Sequence, residues 1–183
     1  PSGAGSPERG APIYRKLCGD CHGLSGSDFS GARVGKVTPI ADIGTDRGRL
    51  DSYTYDLAVN QSTLYAGYPH RFAHFRKTYG YANLPLDGLW LRAPYLHNGS
   101  VPTLRHLLEP SENRPQTFYR GHDLIDARNV GFAWNVDSDR GRRLFLFDTR
   151  VPGNSNRGHE GAGYGTTLSE ADKNALVEYL KTF

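Results

Sequence analysis

Methionine is absent from the 183-residue chain, and cysteine occurs only twice. The first absence removes every thioether sulfur as a candidate metal ligand. The second excludes a disulfide-stapled scaffold, since one bridge at most could form. Long apolar runs are missing too: no stretch approaches the roughly eighteen residues that a membrane span needs, and no charged-then-apolar leader segment is visible. Excess charge of one sign is also lacking. The 22 Lys and Arg against 19 Asp and Glu leave +3, and the basic residues are dispersed. Nucleic acid as a partner therefore gains no support. The densest basic group is Arg140, Arg142 and Arg143, which reads as a solvated loop or a weak docking patch for an acidic partner. Internal repeats are absent.

Turn formers are plentiful, with 22 Gly and 11 Pro. They point to few regular elements joined by long irregular connections, and so to a fold that leans on something besides its own core. A chain of this length suits one domain that buries roughly 70% of its unfolded surface. Residues 1–10 have the composition of a linker or N-terminal tail, and residues 11–183 are expected to form the domain. The opening Pro-Ser-Gly suggests a chain processed or excised from a longer protein. Helices are expected over 11–18, over 53–65 with Thr54 as N-cap, over 103–109 up to Pro110, and from Ser169 to the end. In the last of these, Ala175, Leu176, Tyr179, Leu180 and Phe183 recur at the spacing of a buried face. Residues 116–120, 129–133 and 143–148 alternate with turn formers and could make a small sheet.

The strongest local signal is Cys18-Gly19-Asp20-Cys21-His22, the C-x-x-C-H haem attachment pattern. Two intervening residues let one tight turn present both thiols to the two vinyl groups of a porphyrin, while the adjacent histidine aims its ring at the iron. The competing readings are a redox pair or a zinc site, but zinc would need further ligands and no other cysteine exists. The expected cofactor is one covalently bound haem c, with His22 as proximal ligand.

From this motif outward the chain resembles class I cytochrome c. Gly10 lies eight residues before Cys18 and Tyr14 four before it, as in that family's N-terminal helix, while Leu176, Tyr179 and Leu180 resemble the packing face of its C-terminal helix. A residue without Cβ lets two helices cross at close range. From about Ile43 onward the chain is also similar to bacterial di-haem cytochrome c peroxidases and haem rubber oxygenases. Ala93-Pro94-Tyr95-Leu96-His97-Asn98-Gly99 matches their A-P-Y-x-H-x-G segment, and the stretch from Pro152 to Phe183 resembles the end of their second haem domain. This chain has one haem motif where those enzymes have two or more, and Asp87 stands where the peroxidases usually carry arginine. The resemblance implies a mainly α fold, a class I cytochrome c-like helical haem domain with long loops and a small β-sheet.

With no methionine to fill the sixth coordination position, imidazole is the expected occupant. The resemblance favours His159, which lies in a loop ten residues before Ser169 and nine before Leu168, a register similar to that of the peroxidases' distal ligand. His97 is the runner-up, as ligand, pocket lining or propionate contact. Trp90, Arg92 and Tyr95 are candidates for contacts to the haem edge or propionates, although Trp90 and Tyr95 read equally well as core aromatics. His70 and His74 have i, i+4 metal-pair spacing but no third ligand in register. Those two, His106 and His122 read as structural or exposed. The Gly161-Ala162-Gly163-Tyr164-Gly165 run lacks the flanking strand and helix of a phosphate loop.

The function expected is electron transfer by a bis-histidine haem, because iron filled on both sides exchanges electrons without binding substrate. Covalent attachment takes place outside the bacterial cytoplasm in such families, so a periplasmic or extracellular location is implied. The partner would be a redox protein, a copper polysaccharide oxygenase being one example, and the chain a monomer or a module of a larger secreted protein. The alternatives are a peroxidase- or oxygenase-type enzyme whose sixth ligand leaves, and a haem-based sensor.

Overall fold

The computed structural model describes residues 6–183. Helix α1 (Pro7–Leu17) begins earlier than expected: Ser6 accepts from the Arg9 N–H at 3.4 Å, Pro7 opens the first turn, and Glu8 favours the positive helix end. Residues 7–10, expected to belong to a linker, are therefore helical, and residues 1–5 of that linker lie outside the described residues. A cap, a proline at the first position and an acidic first turn outweigh Gly/Pro composition.

The chain continues through α2 (Gly19–His22), β1 (Val37–Pro39), α3 (Ile40–Ile43), α4 (Gly48–Ser52), α5 (Tyr55–Thr63) and β2 (Gly80–Ala82). After a 3-10 turn at Leu89–Leu91 come α6 (Leu104–Leu107), β3 (Thr117–Arg120), β4 (Ile125–Asp126), β5 (Gly131–Phe132), β6 (Ser138–Asp139), β7 (Arg142–Arg143), β8 (Phe145–Asp148) and α7 (Glu170–Leu180). The expected mainly α class is incorrect. Helix accounts for 32% and strand for 14%, and only α1 and α7 reach 11 residues. Glycines and prolines cut the remaining helices to one or two turns, and the aromatic stretch after residue 115 pairs into ribbons instead.

Nor do the three expected strand segments share a sheet. β3 pairs with β8 antiparallel, Phe118 opposite Phe147, whereas β5 pairs with β4. β6 and β7 form a hairpin in which Arg140 and Gly141 both have positive φ, the geometry of a type I′ turn. Arg140, Arg142 and Arg143 are all exposed on it. β1 and β2 join to bracket residues 40–79. Within that insert Thr54 caps α5 as expected, through the Leu57 N–H at 3.2 Å, but the helix buries none of its residues.

The core forms where α1 crosses α7. A Cβ on Gly10 would lie 2.1 Å from the Ala175 carbonyl oxygen, so only glycine permits this approach. Below the crossing Tyr14 is fully buried and packs on Tyr179 at 5.3 Å and Phe183 at 4.9 Å. Leu89, Tyr95, Val101, Leu104, Leu108, Leu176 and Leu180 continue the cluster, and Cys18 packs against it. Buried Lys173 ties α7 to the segment after α6 through Glu109, at 2.7 Å. The α1/α7 core thus fixes the segment on which the two cysteines sit.

Replacing Gly10 by Ala should force the helices apart and cost about 1–3 kcal/mol. Thermal unfolding of the purified protein checks this, with Gly163→Ala, which meets nothing within 4 Å, as a control of unchanged stability.

Candidate functional site

Helix α1 ends at Leu17, where the Cys18 N–H donates to the Tyr14 carbonyl at 2.8 Å. The Cys18 carbonyl in turn accepts from the N–H groups of Cys21 (3.1 Å) and His22 (2.9 Å), so the motif is wound into the single turn of α2. Both cysteines are free thiols. Burial, reinforced by the neighbouring Cys21, pushes the Cys18 thiol up to about 12, and burial raises Cys21 as well. Redox-active C-x-x-C pairs depress a thiol to expose a thiolate, so this environment speaks against that reading.

The His22 ring donates through Nδ1 to the Leu84 carbonyl at 2.8 Å. That bond fixes the tautomer and leaves Nε2 as a lone-pair donor. Burial lowers the pKa of His22, partly opposed by the same bond, so the imidazole is neutral as a metal ligand must be.

Across from it stands His159, at a ring-centre distance of 6.4 Å and an interplanar angle of 45°. Its loop is tightly specified. Gly158 has φ +86, and a Cβ there would meet the Thr45 nitrogen at 2.4 Å. His159 itself has φ +50, in the left-handed region that non-glycine residues seldom enter, and its N–H donates to the Ile43 carbonyl at 2.8 Å. Burial first, then the nearness of the titratable His22 ring and of the Arg114 guanidinium, bring its pKa down to about 4. Its Nδ1 is buried without a hydrogen-bond partner, and its ring packs on Tyr164 at 4.6 Å.

Two neutral imidazoles at this separation have a specific meaning. With a metal–imidazole bond of about 2 Å on each side, a ring-centre spacing of this size would leave room for one metal ion held by both rings. Among the described residues, the one group of three or more His, Cys, Asp or Glu side chains close enough to share a metal is His122 with Asp123 and Asp139, which excludes the His22–His159 pair. That other cluster is poorly disposed. His122 Nδ1 already accepts the Leu124 N–H at 3.0 Å, so binding a cation through Nε2 would require the ring to lose its last proton. The His22–His159 pair supplies only two donors. It suits a metal whose equatorial ligands come from a macrocycle, and Cys18 and Cys21 stand beside His22 to anchor one. The residues therefore fit a haem.

The other sequence candidates are scattered. His97 stacks on Tyr81 at 4.4 Å, and His97 Nε2 and the Tyr81 hydroxyl are both buried without partners. Such orphaned groups are what a carboxylate such as a propionate would satisfy. Tyr95 is a core aromatic whose hydroxyl donates to the Leu89 carbonyl at 3.2 Å, and Trp90 and Arg92 are exposed at the 3-10 turn. His106 bonds Thr103 at 2.7 Å and stacks edge-on against Trp134, while His70 and His74 lie in the exposed 64–79 loop. The sequence reading missed Leu84, Ile43 and Tyr81. The first two act through backbone carbonyls, for which side-chain chemistry gives no signal.

Residues 80–119 match the family described as RoxA-like, cytochrome c-like. Over those residues the chain is similar to a cytochrome c-like domain. Domains of that kind bind haem c. The chain is also 45% identical over 108 residues to the uncharacterized protein y4iJ of Sinorhizobium fredii, and 37% identical over 123 residues to y4iM of the same organism. Each match covers 56% of this chain, which spans only 17% and 27% of the length of those relatives.

If Cys18 and Cys21 anchor haem, pigment should stay with the denatured polypeptide through electrophoresis. Serine at both positions should abolish that retention completely. Extraction of the pigment into acidified organic solvent is the check.

Proposed function

We propose that the cytochrome c-like domain holds one haem c, attached through Cys18 and Cys21 with His22 and His159 as axial ligands, and that it works as an electron carrier for a redox protein partner in the bacterial periplasm or outside the cell. The observation that carries this reading is the 6.4 Å spacing between the ring centres of two neutral imidazoles, His22 and His159. Haem supplies a one-electron redox centre when bound. The chain's own residues hold that centre still. Leu84 fixes the ring of His22 and Ile43 the backbone of His159, so neither ligand need move as charge arrives. With two imidazoles and no thioether the potential lies below that of a His/Met cytochrome.

An enzyme of the peroxidase or oxygenase type would need one axial ligand to leave. His159 is bound at its backbone N–H within a loop where glycine is obligatory next to it, and this anchoring favours the carrier.

Replacing His159 by Ala should convert the ferric absorption spectrum from low-spin to high-spin and open the ferrous iron to carbon monoxide, while His97→Ala leaves the spectrum low-spin. An unchanged spectrum in the His159 variant would remove it as ligand.

A further inference from the structure

Arg114 is 2% exposed, yet its guanidinium meets no carboxylate within salt-bridge distance. Every hydrogen bond it donates ends on a backbone carbonyl. Nε reaches Glu109 at 2.8 Å, and Nη2 reaches Leu107 at 3.3 Å, so one side of the fork is fixed to the chain around α6. The other side faces the ligand loop: Nη1 donates to Asn156 and to Gly158 at 3.0 Å, and Nη2 donates to His159 itself at 3.4 Å. A buried guanidinium with five carbonyl acceptors is a rigid planar brace, which the single ammonium of lysine cannot reproduce.

Glu160 completes the brace from the same loop. Its carboxylate accepts the Ser111 N–H at 2.7 Å and the Gly158 N–H at 3.2 Å. Although burial alone would raise its pKa, those bonds and the charge of Arg114 hold it below the usual value, so a carboxylate lies near the guanidinium without touching it. Residues 107–114 and 156–160 are thus locked together through one charged side chain from each segment. His159, strained at φ +50, is held at its N–H by Ile43 and at its carbonyl by Arg114. Left-handed backbone at a non-glycine residue persists only where the surroundings over-determine it.

We infer that Arg114 is a positioning residue for the distal ligand, acting through the loop carbonyls to set how readily the His159 imidazole leaves its place opposite His22. The inference rests on the bis-histidine reading and adds a cause for the ligand's stability. A ligand held by its own backbone opens only when the loop opens. Weakening the brace should therefore raise the rate of opening while leaving the closed geometry and the covalent attachment as they are.

The test uses purified ferrous holoprotein and the rate of carbon monoxide binding in excess gas, which the opening of the sixth position limits. Arg114→Gln should raise that rate by about tenfold or more, the factor expected from losing one charge-assisted hydrogen bond to the loop. Arg114→Lys, which keeps the charge but not the fork, should give a smaller increase of the same sign and serves if the glutamine variant yields no holoprotein. The ferric spectrum of either variant should stay low-spin, with or without added imidazole. Unchanged binding kinetics in both variants, whatever happens to their melting temperature, would overturn the inference and leave Arg114 a structural residue only. His159→Ala is run alongside: if its ferric spectrum stays low-spin, the bis-histidine reading has failed rather than the role of Arg114.

Discussion

A gap of 6.4 Å between the ring centres of His22 and His159 constrains much of what surrounds it. Neither ring is placed by its own element alone. His22 sits at the end of α2, whose single turn is continuous with α1, and α1 is held against α7 by the close approach at Gly10 and by Tyr14 below it. Its orientation comes from a third segment, since the Leu84 carbonyl follows directly after β2. His159 hangs from a loop with no regular structure, so its placement depends on carbonyls and N–H groups contributed by α3 and by the chain after α6. A small α-helical core on one side thus faces an irregular but densely bonded loop on the other.

This division explains the composition. The segments around the two imidazoles are largely loops, whose buried backbone polar groups need partners. Glycine allows the turns, and polar side chains such as the buried Arg114 and the half-buried Glu160 meet the stranded backbone groups. The thiols beside His22 are half-buried with raised pKa values, an environment that does not favour disulfide exchange.

Local signals were legible in the sequence. The caps at Thr54 and Ser169, the buried face of α7 and the C-x-x-C-H turn each depend on residues within a few positions of one another. The fold class was not legible, because β3 finds β8 nearly thirty residues away and β4 to β7 form ribbons only two residues long, too short to show alternation. The N-terminal boundary was misplaced because glycine and proline counts hid the Ser6-Pro7-Glu8 start signal. Arg114 gave no sign at all: its acceptors on the ligand loop are 42 to 45 residues distant, and a lone arginine before a proline resembles any surface residue. The pairing of His22 with His159 was suggested by register, but its geometry exists only in three dimensions.

The central claim is that one iron sits between those two imidazoles. An anomalous-difference map recorded at the iron edge from crystals of the holoprotein tests it most directly. The account predicts a single iron peak about 2 Å from Nε2 of His22 and from Nε2 of His159. An iron bound to His22 and to any other sixth ligand, or to none, would contradict it.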